Sequence, residues 1–281
     1  MGRFEVRGTA LTLLLISVAE AADEPPRRVV SMNVCTDQLA MLVAAEGQLH
    51  SVSYLASDPA TSVLAGAAGA YVVNHSLAEE IFLMKPDLVV AGTYSTRATV
   101  GLLRRIGIRV EEFAPEQSLD DVRSNIARMG EILGRPERAN ELVAELDRHL
   151  TRLNDKGPSG QVVATYYANS YSSGAGTLVD AVIKASGLTN LAASIGLTGT
   201  AKLPLEVLVL SRPDLLADGE AGYATPALAG ETFAHPAYRA LAEDTASVAV
   251  PAKYTICGAP FTAEAARIMR DAADAAAEGS K

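Results

Sequence analysis

Short apolar runs alternate with segments of helical periodicity, in two blocks separated by a long helical stretch. Residues 28–32 (RVVSM) suit a buried strand. A turn at 33–36 follows, then a helix from Asp37 to about residue 45 with Leu39, Met41, Leu42 and Val43 as its apolar positions. Residues 50–54 read as a second strand, 88–91 as a third and 109–113 as a fourth, with a helix over 100–106 between the last two. Strands separated by helices imply parallel pairing through crossover connections.

The centre carries a different period. Ser118 supplies an N-cap, and Asp120 and Asp121 suit the first turn of a helix that runs to Leu133 and stops at Gly134. Pro136, tolerated at a helix start, opens another helix. Along it Ala139, Leu142, Val143, Leu146, Leu150 and Leu153 mark one buried stripe. Over residues 136–154 that helix extends about 28 Å at 1.5 Å per residue, which suits a strut. The β/α pattern then restarts. Strands are expected at 162–167, 215–217 and 247–250, a helix from the Gly174-Ala175-Gly176-Thr177 turn to Ser186, and an alanine-rich helix over 262–276. The expected fold is α/β: two Rossmann-like lobes with parallel sheets, residues 22–135 and 157–281, joined by one long bridging helix at 136–156.

One motif occurs twice. Residues 78–92 read AEEIFLMKPDLVVAG and residues 205–219 read LEVLVLSRPDLLADG, 127 positions apart. The copies share Glu79/Glu206, Leu83/Leu210, Pro86/Pro213, Asp87/Asp214, Leu88/Leu215 and Gly92/Gly219, and Lys85 is answered by Arg212. Each copy predicts a short helix opened by a glutamate, a Pro-Asp turn and a buried strand.

Composition narrows the chemistry. With 281 residues and 49% hydrophobic content the chain can fill one large core or two smaller ones. A net charge of −9 without a long basic run argues against nucleic acid as a partner. Arg3 and Arg7 flank the approach to a largely apolar segment at 11–19, and Ala19-Glu20-Ala21 fits a cleavage site. Residues 1–21 are therefore read as a secretory signal peptide, and the mature protein as soluble and periplasmic. The chain has no H-E-x-x-H, G-x-S-x-G, G-x-G-x-x-G or Walker lysine, which argues against an enzyme and against a nucleotide site. Four scattered histidines argue against capture of a bare metal ion. No cofactor is expected.

Four segments carry a family resemblance: RVVSMNVCTDQLAML at 28–42, AEEIFLMKPDLVVAGTY at 78–94, GAGTLVDAVIKASGLTN at 174–190 and LPLEVLVLSRPDLL at 203–216. The chain resembles the substrate-binding proteins of ABC importers for vitamin B12, ferric siderophores and haem, the group whose lobes are bridged by a single helix. The resemblance implies a monomeric binder that holds a metal chelate, either a ferric siderophore or a corrinoid, with haem third. It also implies delivery of that cargo to an inner-membrane ABC permease with its ATPase. One glutamate on each lobe would dock on permease arginines, and motif position assigns these to Glu79 and Glu206.

Ligands of open α/β sheets sit beyond the carboxyl ends of the strands. This rule selects loops at 33–37, 54–58, 71–76, 92–97, 167–176, 218–223 and 254–260. Candidate contacts are Asn33, Cys35, Thr36, Asp37, Tyr54, His75, Tyr94, Tyr167, Asn169, Tyr171 and Cys257, and the same loops hold Tyr71, Tyr223 and Tyr254. Tyrosine offers a flat apolar face plus a hydroxyl, which suits a planar or aromatic chelate. His75 either bonds to nearby backbone, as its turn favours, or reaches the cargo, including as a ligand to haem iron. Cys35 and Cys257 are expected as independent, partly buried thiols near the ligand. The alternative is a disulfide that staples the lobes, which requires their Cα atoms within about 7 Å. The Gly174–Thr177 turn is either a tight strand–helix connection or a row of amides that receives a polar ligand edge.

Overall fold

A computed structural model describes residues 24–95, 97–218 and 230–279. Residues 1–21, read above as a signal peptide, and Tyr223 lie outside the described residues. The first half runs β1 (Val29–Ser31), α1 (Val34–Val43), β2 (Leu49–Ser53), α2 (Ala65–Ala68), β3 (Val72–Asn74), α3 (Ala78–Leu83), β4 (Leu88–Gly92), α4 (Arg97–Arg105) and β5 (Val110–Phe113). Its strands form one parallel sheet in the order β3-β2-β1-β4-β5. Helices α5 (Leu119–Leu133) and α6 (Pro136–Asn154) follow.

The second half holds β6 (Val162–Thr165), β7 (Tyr171–Ser173), α7 (Leu178–Ala185), β8 (Thr189–Asn190), α8 (Leu191–Ser194), β9 (Thr200–Lys202), α9 (Leu205–Ser211), β10 (Leu215–Asp218), α10 (Glu231–Ala234), α11 (Pro236–Asp244), β11 (Ala246–Ala249) and α12 (Thr262–Gly279). A second parallel sheet has the order β11-β10-β6-β8, and β7 and β9 form an antiparallel ribbon beside it. The two-lobed α/β architecture expected from the sequence is therefore present.

Helix α6 joins the two halves. Ser118 caps α5 by accepting the Asp121 N–H at 3.1 Å, and Gly134 ends it in the left-handed conformation at φ 67°. The apolar stripe then changes partner along α6. Ala139, Leu142, Leu146 and Leu150 belong to the core beneath the first sheet, and Leu153 belongs to the core of the second.

The duplicated Pro-Asp turn clips adjacent strands together. Asp87 accepts the backbone N–H groups of Arg27 and Arg28 at 2.6 and 2.9 Å, and its own N–H donates to the Arg28 carbonyl at 3.1 Å. In the second lobe Asp214 accepts the Val162 N–H at 2.7 Å and donates its N–H to the Val162 carbonyl at 2.9 Å. Each aspartate thus holds the amino end of its lobe's first strand against the strand that follows the turn.

A second connection crosses between the lobes near the C-terminus. Ala259 and Ala263 pack in the first lobe's core with Val122, Ile126 and Leu146. Beside them Cys35 and Cys257, 222 residues apart, are joined by a disulfide with their Cα atoms at 5.0 Å. This corrects the expectation of independent thiols: the return of residues 257–263 to the first lobe brings the two cysteines into bonding range. Glu116 Oε2 accepts the Gly258 N–H at 3.2 Å in the same place.

Candidate functional site

The sheet order sets the candidate contacts in a row. Along the carboxyl edge, from β3 to β5, come His75, Tyr54, Asn33, Tyr94 and Glu116, each just past its strand. The order in which strands are added reverses between β1 and β4, the switch point at which α/β sheets open a crevice. A cavity lies there, lined by Asn33, Cys35, Thr93, Tyr94, Glu116 and, from the second half, Ile256.

Asn33 is the N-cap of α1, its Oδ1 accepting the Cys35 N–H at 2.9 Å, and this cap starts the helix at Val34 rather than Asp37. Tyr94 is 82% exposed, so its ring is free to cover a ligand. Tyr54 stacks on His75 with ring centroids 5.6 Å apart. His75 has a firmer partner than the backbone turn expected for it. Glu80 accepts its backbone N–H at 2.7 Å and approaches its Nδ1 at 3.3 Å. Glu80 thereby orients the imidazole and favours a proton on Nδ1.

The second sheet repeats the arrangement between β6 and β10. A cavity there is lined by Thr165, Tyr167, Ala217, Val250, Ala252 and Thr255. Tyr167 is half-buried, its hydroxyl accepts from Ser173 Oγ at 3.3 Å, and burial pushes its pKa up. Residues 252–257 connect the two cavities: Ala252 and Thr255 line the second, Ile256 lines the first, and Cys257 is bonded to Cys35. No Lys or Arg is among the described residues lining either cavity, and Glu116 is their one carboxylate.

Several expected contacts are placed elsewhere. Asp37 is fully buried and faces β2, where its carboxylate accepts the Ser53 N–H at 3.1 Å and the Ser53 hydroxyl. Burial, opposed by hydrogen bonds from Ser31 and Ser53, pushes its carboxyl up from 3.8 to about 6. Thr36, by contrast, does line the first cavity, at its base, although its hydroxyl is bonded to the Asn33 carbonyl and Ser31 Oγ, whereas Cys257 is buried behind Cys35. Tyr71 precedes β3 and packs on the core, at the wrong edge of the sheet for a ligand. Asn169 is exposed in a left-handed turn at φ 58°, and Tyr171 lies half-exposed on the β7–β9 ribbon. The amides of Gly174 and Ala175 already donate to Gly199 and Leu197, which leaves the turn a strand–helix connection.

Glu79 and Glu206 are exposed at the second positions of α3 and α9. Both helices run back from the carboxyl edge of their sheet and enter the next strand through the Pro-Asp turn. Among the described residues neither carboxylate accepts a hydrogen bond or forms an ion pair.

Residues 29–217 match the periplasmic binding protein family. The chain belongs to that family. This periplasmic binding protein is 28% identical over 224 residues to a cobalamin-binding protein of Halobacterium salinarum (strain ATCC 29341 / DSM 671 / R1), across 76% of this chain and 57% of the relative. The chain therefore spans little more than half the length of that relative. The fold is similar to that of the periplasmic heme-binding protein RhuT from Roseiflexus sp. RS-1 (TM-score 0.72, 22% identity, 89% of this chain and 99% of that one). It is also similar to that of the vitamin B12 binding protein BtuF of Vibrio cholerae (TM-score 0.66, 18% identity, 90% and 98%).

Thr93, Glu116 and Ile256 line this binding protein's first cavity; Thr93 and Ile256 fall in the selected loops 92–97 and 254–260 without being named as contacts, and Glu116 was missed by sequence reasoning. The strand-end rule, applied to β5 as to the other strands, selects residues 114–116 and so finds Glu116. The strand-end rule selects the loop of Ile256, but its approach to the first lobe's cavity depends on the disulfide and the Gly258–Glu116 bond.

Proposed function

We propose that this protein is the periplasmic solute-binding component of an ABC importer, exported through residues 1–21, and that its cargo is a corrinoid-type chelate. The reading divides the mature chain into a first lobe (22–135), a bridging helix (136–156) and a second lobe (157–281), acting as a monomer that binds without catalysis. Glu79 and Glu206 dock one lobe each on the permease that works with its ATPase. Rim carboxylates of this kind govern approach and register.

The observation that carries the cargo assignment is the absence of Lys and Arg among the described cavity-lining residues, beside Tyr94, Tyr167, Asn33 and Glu116. Haem propionates and anionic catecholate chelates need cationic partners when desolvated. A neutral corrinoid carries carboxamide edges, which Asn33, Thr93 and Glu116 can meet by hydrogen bonding while tyrosine rings cover its flat face. The cobalamin-binding relative is consistent with that choice.

Titration of the purified mature protein with cyanocobalamin, hemin and ferric siderophores, read by tyrosine fluorescence and native mass spectrometry, tests this. Cyanocobalamin should bind with Kd below roughly 10 μM, about −7 kcal/mol, and Tyr54→Ala with Tyr94→Ala should weaken it at least tenfold. Tight binding of hemin or an anionic siderophore without cyanocobalamin would reject the cargo assignment.

A further inference from the structure

Two leucines of the duplicated motif stand in water. Leu83 is 76% exposed and Leu210 is 83% exposed. They are equivalent positions, each one helical turn beyond its glutamate, so Glu79 with Leu83 and Glu206 with Leu210 share a helix face at i, i+4 spacing. The cores do not lack for them. Ile81 and Leu208, equivalent to each other, fill the buried faces of α3 and α9. Just past each leucine comes an exposed cation, Lys85 or Arg212, and both take the left-handed conformation, at φ 50° and 43°. One exposed leucine is ordinary surface. The same leucine exposed on both lobes, beside an equivalent exposed carboxylate and a basic residue in the left-handed conformation, is a surface made twice.

We propose that Leu83 and Leu210 are the apolar anchors of the docking surface, each inserting into an apolar socket beside a cation on a two-fold symmetric membrane partner. The duplication sets the kind of partner: two equivalent patches on one chain match a protein that presents the complementary site twice. The proposal rests on the docking role proposed for Glu79 and Glu206, and divides the labour between the two residue types. Exposed carboxylates are screened and contribute little to affinity. A leucine desolvated in a socket supplies the larger part, and slows dissociation.

The test uses right-side-out spheroplasts of the cell that makes the protein, with the fluorescent mature chain preloaded with cyanocobalamin as probe. Unlabelled wild type should displace saturable binding, and Leu83→Ser with Leu210→Ser should need at least ten times the concentration. Its thermal melt should match wild type, and the Leu→Gln pair provides a second check on folding. A serine pair that competes like wild type overturns the proposal. If Glu79→Ala with Glu206→Ala then still loses competition, the carboxylate docking reading survives without the leucines; if that pair also competes normally, both fall. Loss in the leucine pair alone supports the anchors and the division of labour, with the glutamates governing approach rather than affinity. No saturable wild-type binding overturns both readings. So does, for the leucines, a wild-type dimer in solution that the serine pair abolishes, since the occupant is then a second copy.

Discussion

Glu116 accepts the Gly258 backbone N–H at 3.2 Å, a hydrogen bond between residues 142 positions apart that ties the end of β5 to the segment entering α12. The approach is close enough to exclude a side chain at residue 258. A Cβ there would lie 2.5 Å from Val122 Cγ2 and 2.7 Å from Glu116 Cγ. Gly258→Ala should therefore lower stability by about 1–3 kcal/mol, read as a shift in denaturant midpoint. An unchanged midpoint would mean that the segment moves aside freely.

The neighbouring disulfide closes a loop of most of the chain, which restricts the unfolded ensemble. Cys35→Ser with Cys257→Ser should cost about 2–5 kcal/mol, and a thiol reductant should do the same to wild type. Amide hydrogen exchange should rise most around residues 33–36 and 255–263. Equal protection in oxidised and reduced protein would remove the cross-link from any account of lobe restraint.

Asp37 gives a pH dependence with a definite sign. Its folded-state pKa of about 6 lies above the ordinary 3.8 because burial disfavours the charge. The folded state therefore holds the proton more tightly. That contribution is complete below the ordinary pKa, declines as pH rises, and is lost above the folded-state value. Relative to Asp37→Asn, wild type should lose up to about 3 kcal/mol between about pH 4 and pH 7. A stability difference that stays flat over this range would mean that the carboxyl is not perturbed.

Much of the architecture was legible because its signals are local. The α6 stripe, its Pro136 start and the Ser118 cap depend on residues within a few positions, and they fall where the periodicity puts them. Strand β3 escaped because Val72 and Val73 are exposed at a sheet edge, so three residues carried no burial pattern. The β7–β9 ribbon escaped because its residues are mostly polar, so that even the buried Ser172 and Ser173 give no apolar pattern. In the candidate site, the strand-end loops placed Asn33, Tyr54, His75 and Tyr94 at the carboxyl edge of the sheet, where the structure has them. They misplaced Asp37 because a loop position does not tell whether its side chain turns outward or toward Ser53. The cysteine pairing was not legible, since it depends on residues 257–263 rejoining the first lobe after the strands of the second lobe have been traversed.

That return has a consequence for biosynthesis. Ala259 and Ala263 are packing partners of Val122 and Ile126, so the interior of the amino-terminal half stays incomplete until residues 259–263 have been delivered to it. Folding is then obliged to finish late, with the two halves maturing together rather than one after the other, and a fragment ending before residue 257 would have neither a sealed interior nor its cross-link.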